Sequence, residues 1–230
     1  MKIAGLQKLT LLDFPEHVAC TVFFGGCNFR CPFCHNSALV QPDAMPEEIP
    51  AEEFFSFLQK RIGILDGVAI TGGEPLLSAD ILPFIERIRS MGFAVKLDTN
   101  GSFPHRLREL VEKGLVDYVA MDIKNAPEKY AETCGMQAFD LSRVRESVQF
   151  LLRGTVPYEF RTTVVREYHE AADFEAIGKW IAGADAYFLQ SFVDSGACLC
   201  SGLHACSPEE LHLFRALAAK YVQKASLRGV

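Results

Sequence analysis

The chain has 230 residues, of which 49% are hydrophobic and 23% charged, with a formal net charge of −6. This is the composition of a globular fold with a sizeable core, and its acidic balance argues against a broad face for nucleic acid or an anionic membrane. No apolar run reaches the length of a bilayer span, and residues 1–12 carry two lysines but no apolar export signal, so the cytoplasm is the expected location.

Apolar β-rich runs alternate with helical patterns along the chain. The first strand is predicted at residues 18–24, and a helix follows with Phe54, Leu58 and Ile62 on one face. A second strand at 67–71 precedes a helix bearing Ile81, Phe84, Ile85 and Ile88. The third, at 93–98, leads to a stripe of Leu107, Leu110 and Val111 that stops at Gly114. A fourth at 116–121 is followed by Val144, Val148, Leu151 and Leu152, stopping at Gly154. The fifth, at 158–165, leads to Phe174, Ile177 and Ile181, stopping at Gly183, and a sixth lies at 186–189. The final helix has the clearest start: Ser207 as N-cap, Pro208 at the first position and a capping-box Glu210, with Leu211, Phe214, Leu217 and Tyr221 behind them.

Six strand–helix units in series predict an α/β fold, either a partial (β/α)6 barrel of parallel strands with outer helices or a doubly wound sheet. Both architectures place chemistry on the loops after the strand C-termini. No repeat or linker interrupts the chain. One domain over residues 1–230 is expected, with a core at about 16–192 and a C-terminal loop and helix at 193–230.

The distinctive residues fall at those strand ends. Eight cysteines exceed ordinary need, and in a reducing compartment clustered thiols point to metal or redox chemistry. Cys27, Cys31 and Cys34, spaced C-x3-C-x2-C, follow the first strand. Structural zinc would need a fourth ligand, for which His35 is badly placed beside Cys34. Cys31 to His35 matches the C-x-x-C-H haem-attachment pattern, but haem attachment requires export and leaves Cys27 without a role. Inert core thiols suit the neighbouring Asn28 and Arg30 poorly. A 4Fe–4S cluster held by three thiolates would leave one iron open to another ligand.

Thr71-Gly72-Gly73-Glu74-Pro75 ends the second strand, Asp98-Thr99-Asn100-Gly101 the third and Met121-Asp122-Ile123-Lys124 the fourth. Arg161 lies on the fifth and Gln190 ends the sixth. Each alone reads as a turn, a cap or a solvated charge; their recurrence at every strand end reads as a site. Cys198, Cys200 and Cys206 form a second group in a Gly/Ser-rich loop, where His204 or Cys134 could add a ligand, although loop thiols without metal are the simpler reading. His35 could support the site or merely neighbour it, and Trp180 reads as packing.

The cysteine triad after a first strand, with Gly-Gly-Glu-Pro after the second, resembles the radical S-adenosylmethionine (SAM) superfamily. Within it, "GLQKLTLLDFPEHVACTVFFGGCNFRCPFCHN" (residues 5–36) and Asp-Thr-Asn-Gly are similar to the glycyl-radical-enzyme activases, most of all to the anaerobic ribonucleoside-triphosphate reductase activating proteins. The likeness spans residues 5–192. It implies that Cys27, Cys31 and Cys34 ligate a 4Fe–4S cluster whose open iron takes the amino and carboxylate groups of SAM. It further implies cofactor binding by the Gly72, Gly73 and Glu74 turn, with backbone carbonyls on the SAM ammonium. Asp98, Thr99 and Asp122 match positions around SAM and a monovalent cation, and Lys124 a counter-charge to the SAM carboxylate. Arg161 and Gln190 are weaker correspondences, and "LQSFVDSG" does not reproduce a histidine-bearing loop near the ribose. The implied activity is reductive cleavage of SAM and abstraction of a glycine Cα hydrogen in a partner enzyme, with flavodoxin or ferredoxin as electron donor. Prolines 42, 46 and 50 suggest an exposed segment where that partner could enter. The rivals are a small-molecule enzyme like the 7-carboxy-7-deazaguanine synthases and a non-enzymatic metal or electron-transfer protein.

Overall fold

The computed structural model describes every residue except Met1, Ala138 and Ser195; Ser195, in the predicted C-terminal loop, and the first residue of the predicted domain thus lie outside the described residues. Eight strands form one sheet in chain order: β1 Ile3–Thr10, β2 Ala19–Phe24, β3 Gly67–Gly72, β4 Ala94–Thr99, β5 Tyr118–Asp122, β6 Tyr158–Val164, β7 Tyr187–Ser191 and β8 Ala225–Arg228. β1 runs antiparallel to β2, and every later pair is parallel. β1 and β8 are the two edges, so the barrel is open. The helices are α1 Ser37–Val40, α2 Ala51–Gln59, α3 Ile81–Ser90, α4 Pro104–Glu112, α5 Tyr130–Thr133, α6 Ser142–Leu151, α7 Ala171–Trp180 and α8 Pro208–Ala218. Among the described residues no helix is long and apolar enough to cross a membrane.

Strand alternation divides the sheet into two environments. Val95, Leu97, Val119, Met121, Phe160, Tyr187 and Leu189 are buried in one hydrophobic core with Ile85, Leu107, Val148 and Phe174 of the helices. Each such side chain contributes about 1.5–3 kcal/mol. Many intervening residues on the other face are polar, Lys96 and Asp98 on β4, Tyr118 and Asp122 on β5 and Glu159 and Arg161 on β6, with Ala120 and Phe188 as apolar exceptions. The sheet is therefore held by helices on its outer face and by charge on its inner one.

All six predicted strands and the helices between them are present, with ends shifted by one or two residues. The predicted glycine stops, Gly114, Gly154 and Gly183, all have positive φ. In α8, Ser207 Oγ accepts from Glu210 N (3.2 Å) and Glu210 Oε2 accepts from Ser207 N (2.7 Å), the expected capping box. Two corrections apply, both at helix ends. α2 ends at Gln59, leaving Ile62 beyond its face and 49% exposed. Tyr221 lies past the end of α8 at Ala218. Two edge strands are added to the six predicted units: β1, with three consecutive exposed residues and two register irregularities, and β8, of four half-buried residues.

Candidate active site

Strand register gathers the predicted residues at one rim. Phe24 of β2 pairs with Gly72, Asp98 with Ala120, Asp122 with Arg161, and Thr163 with Gln190. Above these ends lies a cavity of about 260 Å³. Its wall includes the three thiols of Cys27, Cys31 and Cys34, the Gly72–Gly73 turn, and Asp98, Thr99, Asp122 and Lys124, with Arg161 and Gln190 beside them. Among the expected cofactor-binding residues, only Glu74 is not on this wall.

The cysteine loop is tied down on both sides. Glu74 N donates to Gly26 O (2.8 Å), Gly26 N to Leu39 O (2.7 Å) and Arg30 N to Cys134 O (2.9 Å). Phe29 N lies 3.4 Å from Cys27 Sγ, a donor aimed at the sulfur. Asn100 Nδ2 donates to Asn28 Oδ1 (3.0 Å), and Asn28 Nδ2 to Ser102 Oγ (2.9 Å), which pins the loop to the strand end of β4. Burial pushes the Cys27 thiol up to about 12 and raises Cys34 as well, whereas the Cys134 thiol, donating to Cys31, holds that one down. Metal loading must therefore expel protons from buried thiols. Among the described residues no three Cys, His, Asp or Glu side chains converge on a single ion. Three thiols on one cavity wall without such convergence suit a group in which each sulfur takes its own iron, and suit tetrahedral zinc poorly.

The glycines have a structural reason beyond any ligand. A Cβ on Gly73 would stand 1.9 Å from Gly26 O, and one on Gly72, at φ +118, would stand 2.4 Å from both Phe24 N and Phe24 O. The turn is thus pressed against the backbone that leads into Cys27. Glu74 is buried at 1% exposure beneath the cavity. Its Oε1 accepts from Leu76 N (3.0 Å) and Thr99 Oγ1 (2.9 Å), its Oε2 from Asn100 N (2.7 Å). Burial raises its carboxyl to about 7 despite those donors. Glu74 staples the β3 turn to the β4 turn. Glu74→Gln would set an amide donor against a backbone N–H, and should cost about 1–3 kcal/mol, read as a lower denaturation midpoint. An unchanged midpoint would show that the two turns do not depend on it.

Charge lines one side of the cavity and continues below it. Lys124 Nζ lies 2.9 Å from Asp122 Oδ2, while Arg161 reaches Asp122 Oδ1 through Nε (3.0 Å) and Asp98 Oδ2 through Nη1 (3.1 Å). Burial would raise the Asp122 carboxyl, but Lys124 and Arg161 outweigh it and hold the group at about 2. Lys96 Nζ stands 3.2 Å from Asp98 Oδ1 and also donates to Asp13 O. Deeper still, Glu159 pairs with Arg228 (2.7 Å) and accepts from Tyr118 OH (3.0 Å).

His35 is exposed, stacks on Phe192 at 5.4 Å and contacts Val193 O at 3.0 Å, so it latches the C-terminal loop to the cysteine loop. Cys200 N donates to Pro32 O (2.9 Å), and Ser37 Oγ donates to Ala197 O, on the same seam. Neither suggested extra ligand joins the second cysteine group. His204 pairs with Glu167 (2.7 Å), and Cys134 sits against Cys31. Trp180 packs edge-on against Tyr130 at 5.8 Å. Sequence reasoning held Asn100 only as part of its strand-end motif and missed Lys96 and Asn28 as members of the site. The signal for Lys96 was present: a charged residue two before Asp98 in a buried strand must share its face.

A family model described as the radical SAM superfamily matches residues 21–181. A Methanocaldococcus jannaschii protein with the provisional name glycyl-radical enzyme activating enzyme is 30% identical over 234 residues, covering 99% of this chain and 96% of its own. A Thermococcus kodakarensis protein named for probable GTP 3′,8-cyclase activity is 29% identical over 157 residues, 66% of this chain and 48% of its own. Among solved structures, a domain of a pyruvate-formate lyase-activating enzyme from Bacteroides vulgatus superposes with a TM-score of 0.58 at 16% identity, covering 71% of this chain and 99% of that one.

Proposed function

Because the chain belongs to the radical SAM superfamily, whose enzymes use a 4Fe–4S cluster and S-adenosylmethionine, we propose that it activates a glycyl-radical enzyme, with anaerobic ribonucleoside-triphosphate reductase as the partner. The observation that carries this reading is the extent of similarity: it runs through 99% of the chain for the M. jannaschii protein but stops at 66% for the cyclase. The partial cyclase match favours a second reading, a small-molecule enzyme built on the same domain.

When bound, the cluster and SAM supply radical abstraction of hydrogen from carbon, here the Cα of a partner glycine. The chain's own residues do the holding. Cys27, Cys31 and Cys34 would bind three irons, and the hydrogen bond from Phe29 N would tune one sulfur. Lys124, raised well above its ordinary range by Asp122 although burial opposes it, stays charged to meet the SAM carboxylate. The carbonyls of Gly72 and Gly73 would take the ammonium, with Asn36 Nδ2 already donating to Gly72 O at 3.2 Å. Thr99 and Asp98 stand on the same wall, whereas Glu74 supports it from below. Pro42, Pro46 and Pro50 are all exposed on the segment between α1 and α2, as an entrance for a partner loop requires. Flavodoxin or ferredoxin would deliver the electron.

The test is direct. The reconstituted chain, with SAM and a reductant, should generate a glycyl-radical EPR doublet on an anaerobic ribonucleotide reductase, and alanine at the target glycine should remove it. A silent reductase beside an activated pyruvate formate-lyase would move the partner and keep the activity. Turnover of GTP or another small molecule with no protein radical would favour the second reading.

A further inference from the structure

Three of the four carboxylate oxygens of the Asp98–Asp122 pair accept from a side-chain cation, and the fourth, Asp98 Oδ1, is buried without a hydrogen-bond partner but within ion-pair distance of Lys96. Asp98 Oδ1 has Lys96 Nζ at 3.2 Å and Oδ2 has Arg161 Nη1 at 3.1 Å. Asp122 Oδ1 has Arg161 Nε at 3.0 Å and Oδ2 has Lys124 Nζ at 2.9 Å. Thr71 Oγ1 adds a further donor to Asp98 Oδ2 at 3.2 Å. Thr99, the third residue expected around a monovalent cation, donates its hydroxyl to Glu74 at 2.9 Å and accepts from Gly101 N at 3.1 Å.

These residues do not fit a potassium or sodium ion. A hard cation needs several oxygen lone pairs turned toward it at once; here three of the four oxygens accept from ammonium or guanidinium groups, which leaves Asp98 Oδ1 alone without a hydrogen-bond partner. The charges disagree as well. Lys96, Lys124 and Arg161 stand against Asp98 and Asp122, and Glu159, which also acts on Arg161, is itself paired with Arg228, so the set carries excess positive charge before any ligand arrives. A further cation would be repelled, whereas an anionic group would be drawn in. The rigid fork of arginine suits a bridge between two carboxylates better than a point charge does, and the Arg161 side chain is only 13% exposed.

We propose that the guanidinium of Arg161 takes the place of a monovalent cation between Asp98 and Asp122, so that this chain binds SAM without one. Arg161 is a positioning residue in this account: it fixes Asp122, and through it Lys124, toward the incoming carboxylate. The inference rests on the SAM-binding reading above.

The experiment measures SAM affinity by calorimetry on cluster-reconstituted protein, in choline chloride and in potassium chloride at the same ionic strength of about 0.1 M. The wild-type dissociation constant should agree between the two salts within about threefold; a larger tightening in potassium overturns the proposal. Arg161→Met, which keeps the stem and removes the charge, should bind at least roughly tenfold more weakly in choline and recover in potassium or sodium. Recovery by a small cation is a readout that a merely structural role would not give. Wild-type affinity of Arg161→Met in choline also overturns the proposal. Should the variant fail to fold or load its cluster, the wild-type comparison decides alone. Absence of SAM binding in both salts, with the cluster intact, overturns the proposed function and this inference with it, a result distinct from a potassium requirement.

Discussion

Replacing Cys27, Cys31 or Cys34 by alanine should abolish iron–sulfur loading, whereas Cys200→Ala should leave it intact. The three thiols share one cavity wall, while Cys200 is exposed on the C-terminal loop and its backbone N–H donates to Pro32 O of the cysteine loop. A cluster with one open iron has no protein ligand in reserve, so losing one of three thiolates removes a third of its attachment. Cys134 is fully buried against Cys31, facing the loop from behind, and is not on the cavity wall. Iron and sulfide analysis of anaerobically reconstituted variants checks this. Full loading in any of the three alanine variants, or its loss in Cys200→Ala, would contradict the assignment.

Gly73→Ala should be strongly damaging. Its Cβ would lie 1.9 Å from Gly26 O and 2.6 Å from Gly26 C, and both are backbone atoms that cannot rotate away. Relief requires moving either the end of β3, held by Gly73 N to Phe24 O at 2.8 Å, or the residue before Cys27. The expected cost is about 3 kcal/mol or more, together with a fall in iron loading because the displaced loop carries the first thiol. Gly92→Ala is the control. It has φ +90 but nothing within 4 Å of an added Cβ, so it should cost only the left-handed strain, about 1–2 kcal/mol, with loading unchanged. Thermal melts and iron content measured together separate the two; equal losses in both variants would show that the contact with Gly26 does not matter.

The contrast between these glycines marks what the sequence could tell. Gly72 and Gly73 are legible as a close-approach turn, but the closest approach is to the backbone of Phe24 and Gly26, and no local pattern reveals which neighbour presses there. Six strands are legible because their outward residues recur as apolar side chains packed under helices. β1 and β8 are not, since each is an edge strand that buries little: β1 has three consecutive exposed residues and β8 four half-buried ones. The cysteine triad, Asp98, Asp122 and Lys124 are legible from their place at strand ends. Their ion-pair partners are less so: Lys96 sits inside a strand, where its charge reads as an exposed face until the register turns that face into the barrel. Glu74 belongs to a visible motif, yet its three hydrogen bonds to the β3 and β4 turns show a staple that spacing alone cannot distinguish from a ligand.

The most direct test of the account is Mössbauer spectroscopy of the anaerobically reconstituted chain, recorded without and with SAM. About four irons per chain should load, and one should change its signal when SAM is added, because three thiolates leave that iron open. Four irons that ignore SAM, or zinc bound in their place, would contradict it.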